Sequence, residues 1–390
     1  MKKGIFITLI LIGISYLLLI NIAPDKVEKD LNGITLTKPY QISEQAKTLY
    51  DSLEFIGDLH CDALLWDRDL NKDSEYGHVD IPKMQQANIA LQAFTIVTKS
   101  PKGQNFEHNE ADALDNITLL GMVQGRPPGY WFSLMNRALY QSKKLKKTAK
   151  RSDGDFKIIS SSKDLKGLIS LRKSDPTIVG GFLGVEGAHA LEGKLKNVDE
   201  LFEAGVRMMG PTHFFDNELG GSAHGVSGEG LTDFGEEVID RMNELKMIID
   251  LAHISPAMID DILERTTQPV LVSHTGVDAV YDSPRNLSDQ HIRAIGENGG
   301  LIGIAFFPGA IGDGGIPAIV ASMKHVKDLI GIEHVALGSD YDGSVVVPFD
   351  ITGLPLLIDE MLAQNFTTSE IKAIMGENMK RFMLANLPEE

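Results

Sequence analysis

The sequence is poor in cysteine and in positive charge. Among its 390 residues there is one cysteine, Cys61. No disulfide can therefore form within the chain, and no zinc site built from several cysteines fits. The 37 basic side chains are outnumbered by 54 acidic ones, which gives a formal net charge of -17. A nucleic-acid-binding protein needs a basic face to meet phosphates, so we exclude that class. The remaining composition, 43% hydrophobic and 23% charged, is that of a globular protein.

The first 23 residues differ from the rest of the chain. Lys2 and Lys3 are followed by a run from Gly4 to Ile20 that carries no charge and is about long enough to cross a hydrocarbon core of ~30 Å. This pattern predicts either a cleaved signal peptide or an uncleaved membrane anchor. We favour the anchor, because only Ala23 suits a cleavage site at the end of the segment. The lysines then predict a cytoplasmic N-terminus and an exported main domain, periplasmic or extracellular, which would be secreted if the segment were cleaved.

Residues 24–45 are polar and mixed, and predict a linker with a first short helix. Beyond them, short apolar runs alternate with amphipathic helical patterns. The runs are Phe55–His60, Ile89–Thr98, Ile178–Glu186, Val206–His213, Met247–His253, Val270–His274, Leu301–Phe307 and His334–Asp340. They are hydrophobic nearly throughout, as strands buried on both faces are. Eight such strand–helix units predict the α/β class and a single (β/α)8 TIM-like barrel over residues 46–390.

Residues 99–177 interrupt this alternation after the second predicted strand. They contain helical patterns at Glu110–Met122 and Trp131–Ala149, separated by Pro127-Pro128. We interpret the segment as a helical insertion on the rim of the barrel.

Ionisable side chains stand at the ends of six of the eight predicted strands. His60 and Asp62 end the first strand, and residues two apart on a strand point to the same side, so both can bind one metal while Cys61 points away. The other strand ends carry Glu186, His213, His253, His274 and Asp340. Carboxyl ends of barrel strands meet at one face, where active sites lie.

So many buried ionisable groups are costly without a cation, and they predict a metal site. Nitrogen and oxygen donors without thiolates suit zinc, with manganese or cobalt as alternatives. Five candidate ligands exceed the needs of one tetrahedral catalytic zinc and suit two metals that share a carboxylate, for which Glu186 is placed. The candidate ligands are His60, Asp62, Glu186, His253 and His274.

The motifs at these strand ends resemble those of the membrane dipeptidase family, zinc peptidases with an amidohydrolase-like barrel. The resemblance runs from about residue 50 to 387. It rests on His60-Cys61-Asp62, Gly184-Val185-Glu186-Gly187-Ala188-His189, Thr212-His213, Ile249-Asp250-Leu251-Ala252-His253-Ile254-Ser255, Ser273-His274, Arg285-Asn286 and Gly338-Ser339-Asp340-Tyr341-Asp342-Gly343.

The resemblance implies a role for each matching residue. His60 and Asp62 would bind one zinc, His253 and His274 the other, and Glu186 both. His213 would stabilise the oxyanion of the tetrahedral intermediate, and Asp340 would carry a proton from the bridging hydroxide or water to the leaving amine. Arg285 would bind the free carboxylate of the substrate, a bidentate task that suits a guanidinium. His189 would support the site from behind.

The implied reaction is hydrolysis of dipeptides with a free C-terminal carboxylate, including dipeptides with a D-residue at the second position. The resemblance also implies a homodimer. An alternative is another reaction on the same barrel, such as deamination or the hydrolysis of a lactone or a β-lactam. Many enzymes with those activities bridge their metals with a carboxylated lysine, whereas the matching strand end here supplies Glu186. A binding protein that has lost catalysis is a further alternative. The presence of all the predicted ligands and of Asp340 argues against it.

Overall fold

The computed structural model describes Tyr16 and residues 20–390. Within these residues one curled sheet contains nine strands, and all paired neighbours run parallel. The strands are β1 (Ile56–Asp58), β2 (Ile89–Val97), β3 (Phe156–Ile158), β4 (Val179–Glu186), β5 (Val206–Met209), β6 (Ile248–Ile249), β7 (Leu271–Thr275), β8 (Leu301–Ile304) and β9 (Val335–Leu337). Their order is β6-β5-β4-β2-β1-β9-β8-β7, with β3 beside β4. The end strands β6 and β7 meet at a parallel bridge between Asp250 and Leu271, which brings the edges of the barrel together.

Each of the eight predicted runs contains a strand, and the predicted α/β barrel is confirmed. Seven of these strands are shorter than their runs, and β7 is as long as its run but begins and ends one residue later. The run Met247–His253 contributes only two strand residues, because the chain leaves the sheet before the site begins, and His253 has a left-handed φ of 66° that no strand accommodates.

The interior of the barrel is filled by buried apolar side chains from seven of the nine strands. These side chains form a single cluster, which includes Leu91, Phe182, Met208, Ile248, Leu271, Leu301 and Ala336. Met379, Phe382 and Met383 from the C-terminal helix belong to the same cluster. The barrel is therefore a packed core and not a pore, and space for a ligand is left at the carboxyl ends of the strands.

The α-helices follow the strands, and several begin at a capping residue. They lie at Glu44–Asp51, Ile81–Gln86, Asn116–Val123, Pro128–Phe132, Leu134–Arg151, Ser162–Arg172, Lys196–Glu203, Asp233–Leu245, Pro256–Arg265, Asp289–Glu297, Pro308–Ile311, Gly315–Ile330, Pro355–Ala363, Thr368–Lys372 and Asn378–Asn386. The side chains of Thr232, Ser255 and Ser288 accept hydrogen bonds from the first turns of three of these helices, which satisfies backbone donors that a helix start leaves free.

The segment between β2 and β4 contains four of these helices and the short strand β3, which the sequence patterns did not indicate. Arg137, fully buried, joins two of the helices by donating to Asp115 over 2.7 Å and to the hydroxyl of Thr118 over 2.8 Å. The buried guanidinium thus fixes this segment at the rim.

The predicted membrane anchor at residues 1–23, with an exported main domain, is corrected. Among the described residues, no helix is both long enough and apolar enough to cross a membrane. The described helical residues 20–31 include Asp25, Lys26, Glu28, Lys29 and Asp30, and the Glu28 side chain is 1% exposed and paired inside the protein. Residues 1–15 and 17–19, where most of the apolar run falls, lie outside the described residues.

Candidate metal centre

The predicted site residues converge at the carboxyl edge of the barrel. Glu186 is the last residue of β4 and His274 lies within β7, whereas the other candidates stand a few residues beyond their strands. All of them are buried: His60, Asp62, Glu186, His213, His253, His274, Arg285 and Asp340. The parallel topology brings together groups that are up to 280 residues apart in the chain, because all strands end at one face.

One carboxylate oxygen of Glu186 is the centre of the arrangement. Its Oε1 atom lies 3.0 Å from Nε2 of His253, 3.3 Å from Nε2 of His274 and 3.5 Å from Nε2 of His60. The Asp62 carboxylate lies 3.6 Å from the same nitrogen of His60. Three imidazoles and two carboxylates thus share one small volume.

Three overlapping groups of these side chains have ligand atoms within 4.8 Å of one another. The groups are His60 with Asp62 and Glu186, Glu186 with His213 and His253, and His60 with His274 and Asp340. All five predicted ligands fall in these groups, and His213 and Asp340 join them.

Ser273 orients two of the imidazoles. Its Oγ lies 2.9 Å from Nδ1 of His60 and 3.0 Å from Nδ1 of His274, and its backbone N–H donates to the carboxylate of Asp250 over 2.8 Å. Oγ can accept from both Nδ1–H groups. Both imidazoles then present an unprotonated Nε2 to the centre, which is the form that binds a metal.

His224 orients the imidazole of His253 in the same way, and no sequence pattern indicated this role. His224 Nδ1 lies 2.9 Å from the carbonyl oxygen of Phe106 and its Nε2 lies 3.1 Å from Nδ1 of His253. Donation to the carbonyl leaves the His224 Nε2 free to accept from His253, which again leaves Nε2 of His253 unprotonated. Among the carboxylate ligands, Asp62 accepts from the hydroxyl of Thr95 over 2.6 Å.

His189 does not take the supporting position that was expected of it. Its Nδ1 lies 3.5 Å from the side-chain amide nitrogen of Asn217, its ring packs on Phe215, and its Nε2 has no hydrogen-bond partner in the part of the chain that the structure describes. The sequence signals for the true supporting residues were weak. Ser273 is adjacent to a ligand in the chain, whereas His224 lies in a glycine-rich loop.

The donor set fits a bound cation. Nε2 of His60 is buried and finds no hydrogen-bond partner within Tyr16 and residues 20–390, and Nε2 of His253 lies 3.0 Å from Nε2 of His274. With both Nδ1 atoms donating, two nitrogen lone pairs face each other at that distance, an arrangement that a cation stabilises. Nitrogen and carboxylate donors without sulfur suit a divalent metal such as zinc.

The shifts in pKa agree with this donor set. Burial opposes the charge on Glu186, but the imidazoles of His213 and His60 outweigh burial and hold the pKa of Glu186 well below its usual value. Burial lowers the pKa of His253 and of His274 well below the usual range. Burial also lowers the pKa of His60, yet Glu186 and Asp62 raise it well above its usual value. The carboxylates therefore create a strong preference for positive charge at the centre.

Asp340 and Arg285 lie beside this cluster. Oδ1 of Asp340 is 3.9 Å from Nε2 of His60, and its residue has a left-handed φ of 61°. Arg285 donates to the carbonyl of His274, while its Nε is buried and has no hydrogen-bond partner among the described residues. An unpartnered guanidinium N–H in a closed site is an available donor for a substrate anion.

A cavity of about 170 Å³ opens above the cluster. Its floor is formed by site residues and its walls are mainly apolar. The wall includes Leu65, Val97, Phe106, Ile117, Phe214, Phe307, Val345, Ser100 and Gln104. The one cysteine is directed away from this space: Sγ of Cys61 lies 3.8 Å from Oδ2 of Asp342.

Comparison with known proteins agrees with this geometry. The model of the membrane dipeptidase family, peptidase family M19, matches residues 43–386. A relative from Klebsiella pneumoniae, an uncharacterized protein in the pqqA 5' region, is 30% identical over 255 residues, which cover 61% of this chain and 92% of that protein. An uncharacterized dipeptidase of Schizosaccharomyces pombe is 27% identical over 317 residues, covering 78% of this chain and 71% of the relative.

A solved structure shares the fold over most of the chain. The metallo peptidase of Rhodobacter sphaeroides, liganded with a phosphinate mimic of the dipeptide L-Ala-D-Ala, superposes with a TM-score of 0.69 at 25% identity. The match covers 86% of this chain and 100% of that one. With a family match that spans most of the chain, the resemblance inferred from the strand-end motifs is confirmed, and the chain belongs to the membrane dipeptidase family as a metal-dependent dipeptidase.

Proposed function

We propose that the site holds two divalent cations, both zinc, in a dipeptidase that acts on dipeptides with a free C-terminal carboxylate. His60 and Asp62 would hold one metal, His253 and His274 the other, and Glu186 both. The observation that carries this assignment is the position of Glu186 Oε1 within 3.5 Å of Nε2 of all three imidazoles. When bound, two such metals would activate a water and polarise the scissile carbonyl.

Asp340 is the proposed proton carrier. Burial, together with the charges of Glu186 and Asp62, raises the pKa of Asp340 well above its usual value, although His60 lowers it. Such a carboxylate readily takes a proton from the attacking water and returns it to the leaving amine. Bound dications would favour its charged form before the proton arrives.

His213 is the proposed donor to the developing oxyanion. Its Nδ1 lies 3.3 Å from the carbonyl oxygen of Lys99, and its Nε2 lies 3.3 Å from Oε2 of Glu186. With Nδ1–H directed at that carbonyl, donation from Nε2 requires the doubly protonated imidazolium. Its positive charge matches the negative charge that forms on the carbonyl oxygen.

Arg285 is the proposed partner of the substrate carboxylate. Arg285 is 3% exposed, and its Nε–H has no partner within the described residues. A carboxylate placed there would receive a charge-assisted hydrogen bond in a dry site. The complex of the Rhodobacter sphaeroides enzyme with a mimic of L-Ala-D-Ala supports a small dipeptide and a D-residue at the second position.

Metal dependence and dipeptide hydrolysis are tested together. The purified chain is assayed with L-Ala-D-Ala and L-Ala-L-Ala before and after complete removal of metal, and after zinc is returned. We expect activity to disappear with the metal and to return at two zinc ions per chain, counted by elemental analysis. Activity that persists in metal-free protein contradicts the proposal.

Matched variants locate the metal. His274→Gln and Glu186→Gln are expected to lower the bound zinc from two ions per chain and to abolish activity. His325→Gln is the control, because His325 pairs with Asp289 on the outer helices and not with the cluster. A His274→Gln protein that keeps both zinc ions would contradict the ligand assignment.

We also propose a homodimer. The segment between β2 and β4 exposes large apolar side chains, with Phe132 83%, Leu114 70% and Leu119 55% exposed. Apolar groups of this size on one rim suit a subunit interface. Sedimentation equilibrium would show a dimer, and Phe132→Ser would weaken it. A monomer at micromolar concentration contradicts this assignment.

A further inference from the structure

We propose that residues 28–36, the N-terminal strap, position Asp340 and the adjoining cavity wall for catalysis. The strap precedes the residues 43–386 that match the family. It contacts the loop at residues 340–348, the pocket loop, which follows β9 and carries Asp340. The assignment of Asp340 as proton carrier comes from the proposed function, and this inference rests on it.

The first connection runs through a buried arginine. Arg68 donates from Nε to Glu28 of the strap and from an Nη atom to Asp342 of the pocket loop. The exposed fractions of these side chains are 4% for Arg68, 1% for Glu28 and 0% for Asp342. Because water cannot replace either partner, loss of Glu28 leaves the Nε–H of the guanidinium that holds Asp342 without an acceptor, while another of its donors remains on the carbonyl of Val79.

The second connection runs through a buried histidine. Nε2 of His78 lies 3.2 Å from the carbonyl oxygen of Gly33 in the strap. Its Nδ1 lies 2.9 Å from the backbone nitrogen of Asp342. Donation from Nε2–H to Gly33 leaves the Nδ1 lone pair to accept from the Asp342 N–H. The strap thereby selects the tautomer that fixes the backbone two residues after Asp340.

The third connection is direct. The side-chain oxygen of Asn32 accepts from the backbone nitrogen of Ser344 over 2.9 Å. Further along, the amides of Thr35 and Leu36 donate to Val347 and Pro348 over 3.0 Å each, and Val347 donates back to Gly33 over 3.0 Å. The strap thus runs beside the pocket loop like an added strand.

The pocket loop needs such support because its backbone is strained. Asp340, Asp342 and Ser344 have left-handed φ values of 61°, 62° and 60°, which are unfavourable for residues with a side chain. The same loop contributes Asp340, Gly343, Ser344 and Val345 to the cavity. Contacts that hold alternate residues in this conformation also set the direction of the Asp340 carboxylate.

Glu28 and Asn32 are therefore positioning residues. Glu28→Ala and Asn32→Ala remove one connection each, and Glu28→Gln keeps an oxygen that Arg68 can reach. Asn378→Ala is the matched control, because buried Asn378 donates to the carbonyls of Ile332 and Val335 at the opposite end of β9. All four variants are made in the full chain loaded with zinc.

Hydrogen–deuterium exchange tests the structural part without any assay of activity. We expect peptides covering residues 340–348 to exchange about tenfold faster in Glu28→Ala and in Asn32→Ala. Exchange in those peptides should be unchanged in Glu28→Gln and Asn378→Ala. If the pocket loop exchanges at the wild-type rate in both alanine variants, the proposal is overturned. If Glu28→Ala does not fold, Asn32→Ala decides alone.

Steady-state kinetics with L-Ala-D-Ala test the catalytic part. We expect kcat to fall by about 10- to 100-fold in the alanine variants, with two zinc ions still bound and a smaller change in KM. Glu28→Gln should restore kcat, and Asn378→Ala should not change it. An unchanged kcat in a protein whose pocket loop exchanges faster overturns the positioning role. A wild-type protein that does not cleave dipeptides instead contradicts the proposed function and leaves the exchange result to be judged separately.

Discussion

Arg285 is the residue that connects the metal cluster with the identity of the substrate. It donates to the carbonyl of His274 and leaves its Nε unpaired in a buried site. Lysine has one ammonium where arginine has a fork of donors, so it can replace the charge but not both directions of donation.

Arg285→Lys is predicted to raise KM for L-Ala-D-Ala by about 10- to 100-fold, since one charge-assisted hydrogen bond contributes ~1.5–3 kcal/mol. For the same dipeptide with a C-terminal amide, Arg285→Lys should change KM little relative to the wild-type protein, because that substrate lacks the carboxylate. Arg207→Lys is the control, since Arg207 donates to Ser160 and Phe202 on the outside of the barrel. An equal loss for acid and amide would show that Arg285 does not bind the carboxylate.

Individual members of the cluster could be predicted where a simple rule of local geometry applied. His60 and Asp62 stand two residues apart after a strand, and the structure places both at the cluster, with Cys61 directed elsewhere. His224 could not be found this way. It reaches His253 from a loop whose course is set by contacts such as that with the Phe106 carbonyl, and those contacts join residues over 100 positions apart.

Strand β4 ends in a turn that only glycine fits. Gly187, which follows Glu186, has φ 77°, and a Cβ there would lie 2.7 Å from Cβ of His213. The turn allows the carboxylate of Glu186 and the imidazole of His213 to approach each other. Gly193 has a similar φ of 65°, but a Cβ there would meet nothing within 4 Å.

Gly187→Ala and Gly193→Ala form a matched pair. Both introduce backbone strain of about 1 kcal/mol, and only Gly187→Ala adds a steric conflict of about 1–3 kcal/mol. We therefore expect Gly187→Ala to lower the free energy of unfolding by the larger amount in urea denaturation and to bind zinc more weakly. Equal stability of the two variants would contradict the close approach at β4.

Whether an element could be predicted depended on its length and burial. The nine residues of β2 are buried throughout and were recognised as an apolar run. Strand β3 has three residues, of which two are only partly buried, and three residues are too few to establish a period. Its pairing with β4 is decided by tertiary contact and not by the local pattern.

The pH dependence of stability reflects how the N-terminal strap joins the barrel. Burial raises the pKa of Glu28 to about 7, with Asp342 adding to the shift and Arg68 and Lys144 opposing it. Tyr76 also lies near this carboxyl group. The folded state then binds more protons than the unfolded state between about pH 4.5 and pH 7, so stability falls as pH rises through this range.

Relative to Glu28→Gln, the wild-type protein is predicted to lose up to about 1.4 kcal/mol of unfolding free energy per pH unit between pH 4.5 and pH 7. The stabilisation is fully present below pH 4.5. Urea denaturation of both proteins at half-unit steps of pH measures the difference, and other titrating groups cancel because they are common to both. If the unfolding free energies of the two proteins run parallel as pH changes, the pKa of Glu28 is not raised by folding.

The barrel as a whole followed from the order of apolar runs, because alternating strand and helix patterns leave few topologies open. The role of residues 24–45 could not be predicted from the sequence. Their polar composition indicated a linker, whereas Glu28, Asn32 and Gly33 make specific contacts with residues at least 40 positions away. Such contacts have no periodic signature.

Ser273 has a consequence for how the enzyme acquires its metals. Its single oxygen contacts Nδ1 of His60 and Nδ1 of His274, imidazoles assigned to different zinc ions. Fixing the hydroxyl for one imidazole also orients the other, so occupation of one position lowers the entropic cost of filling its neighbour.

Zinc uptake is predicted to be cooperative, with a Hill coefficient above one in chelator-buffered titrations. Ser273→Ala should weaken both sites by about 10- to 100-fold and reduce the cooperativity. Ser322→Ala, at a buried serine that donates to Ala318 within an outer helix, should leave both unchanged. Independent filling in the wild-type protein would contradict this coupling.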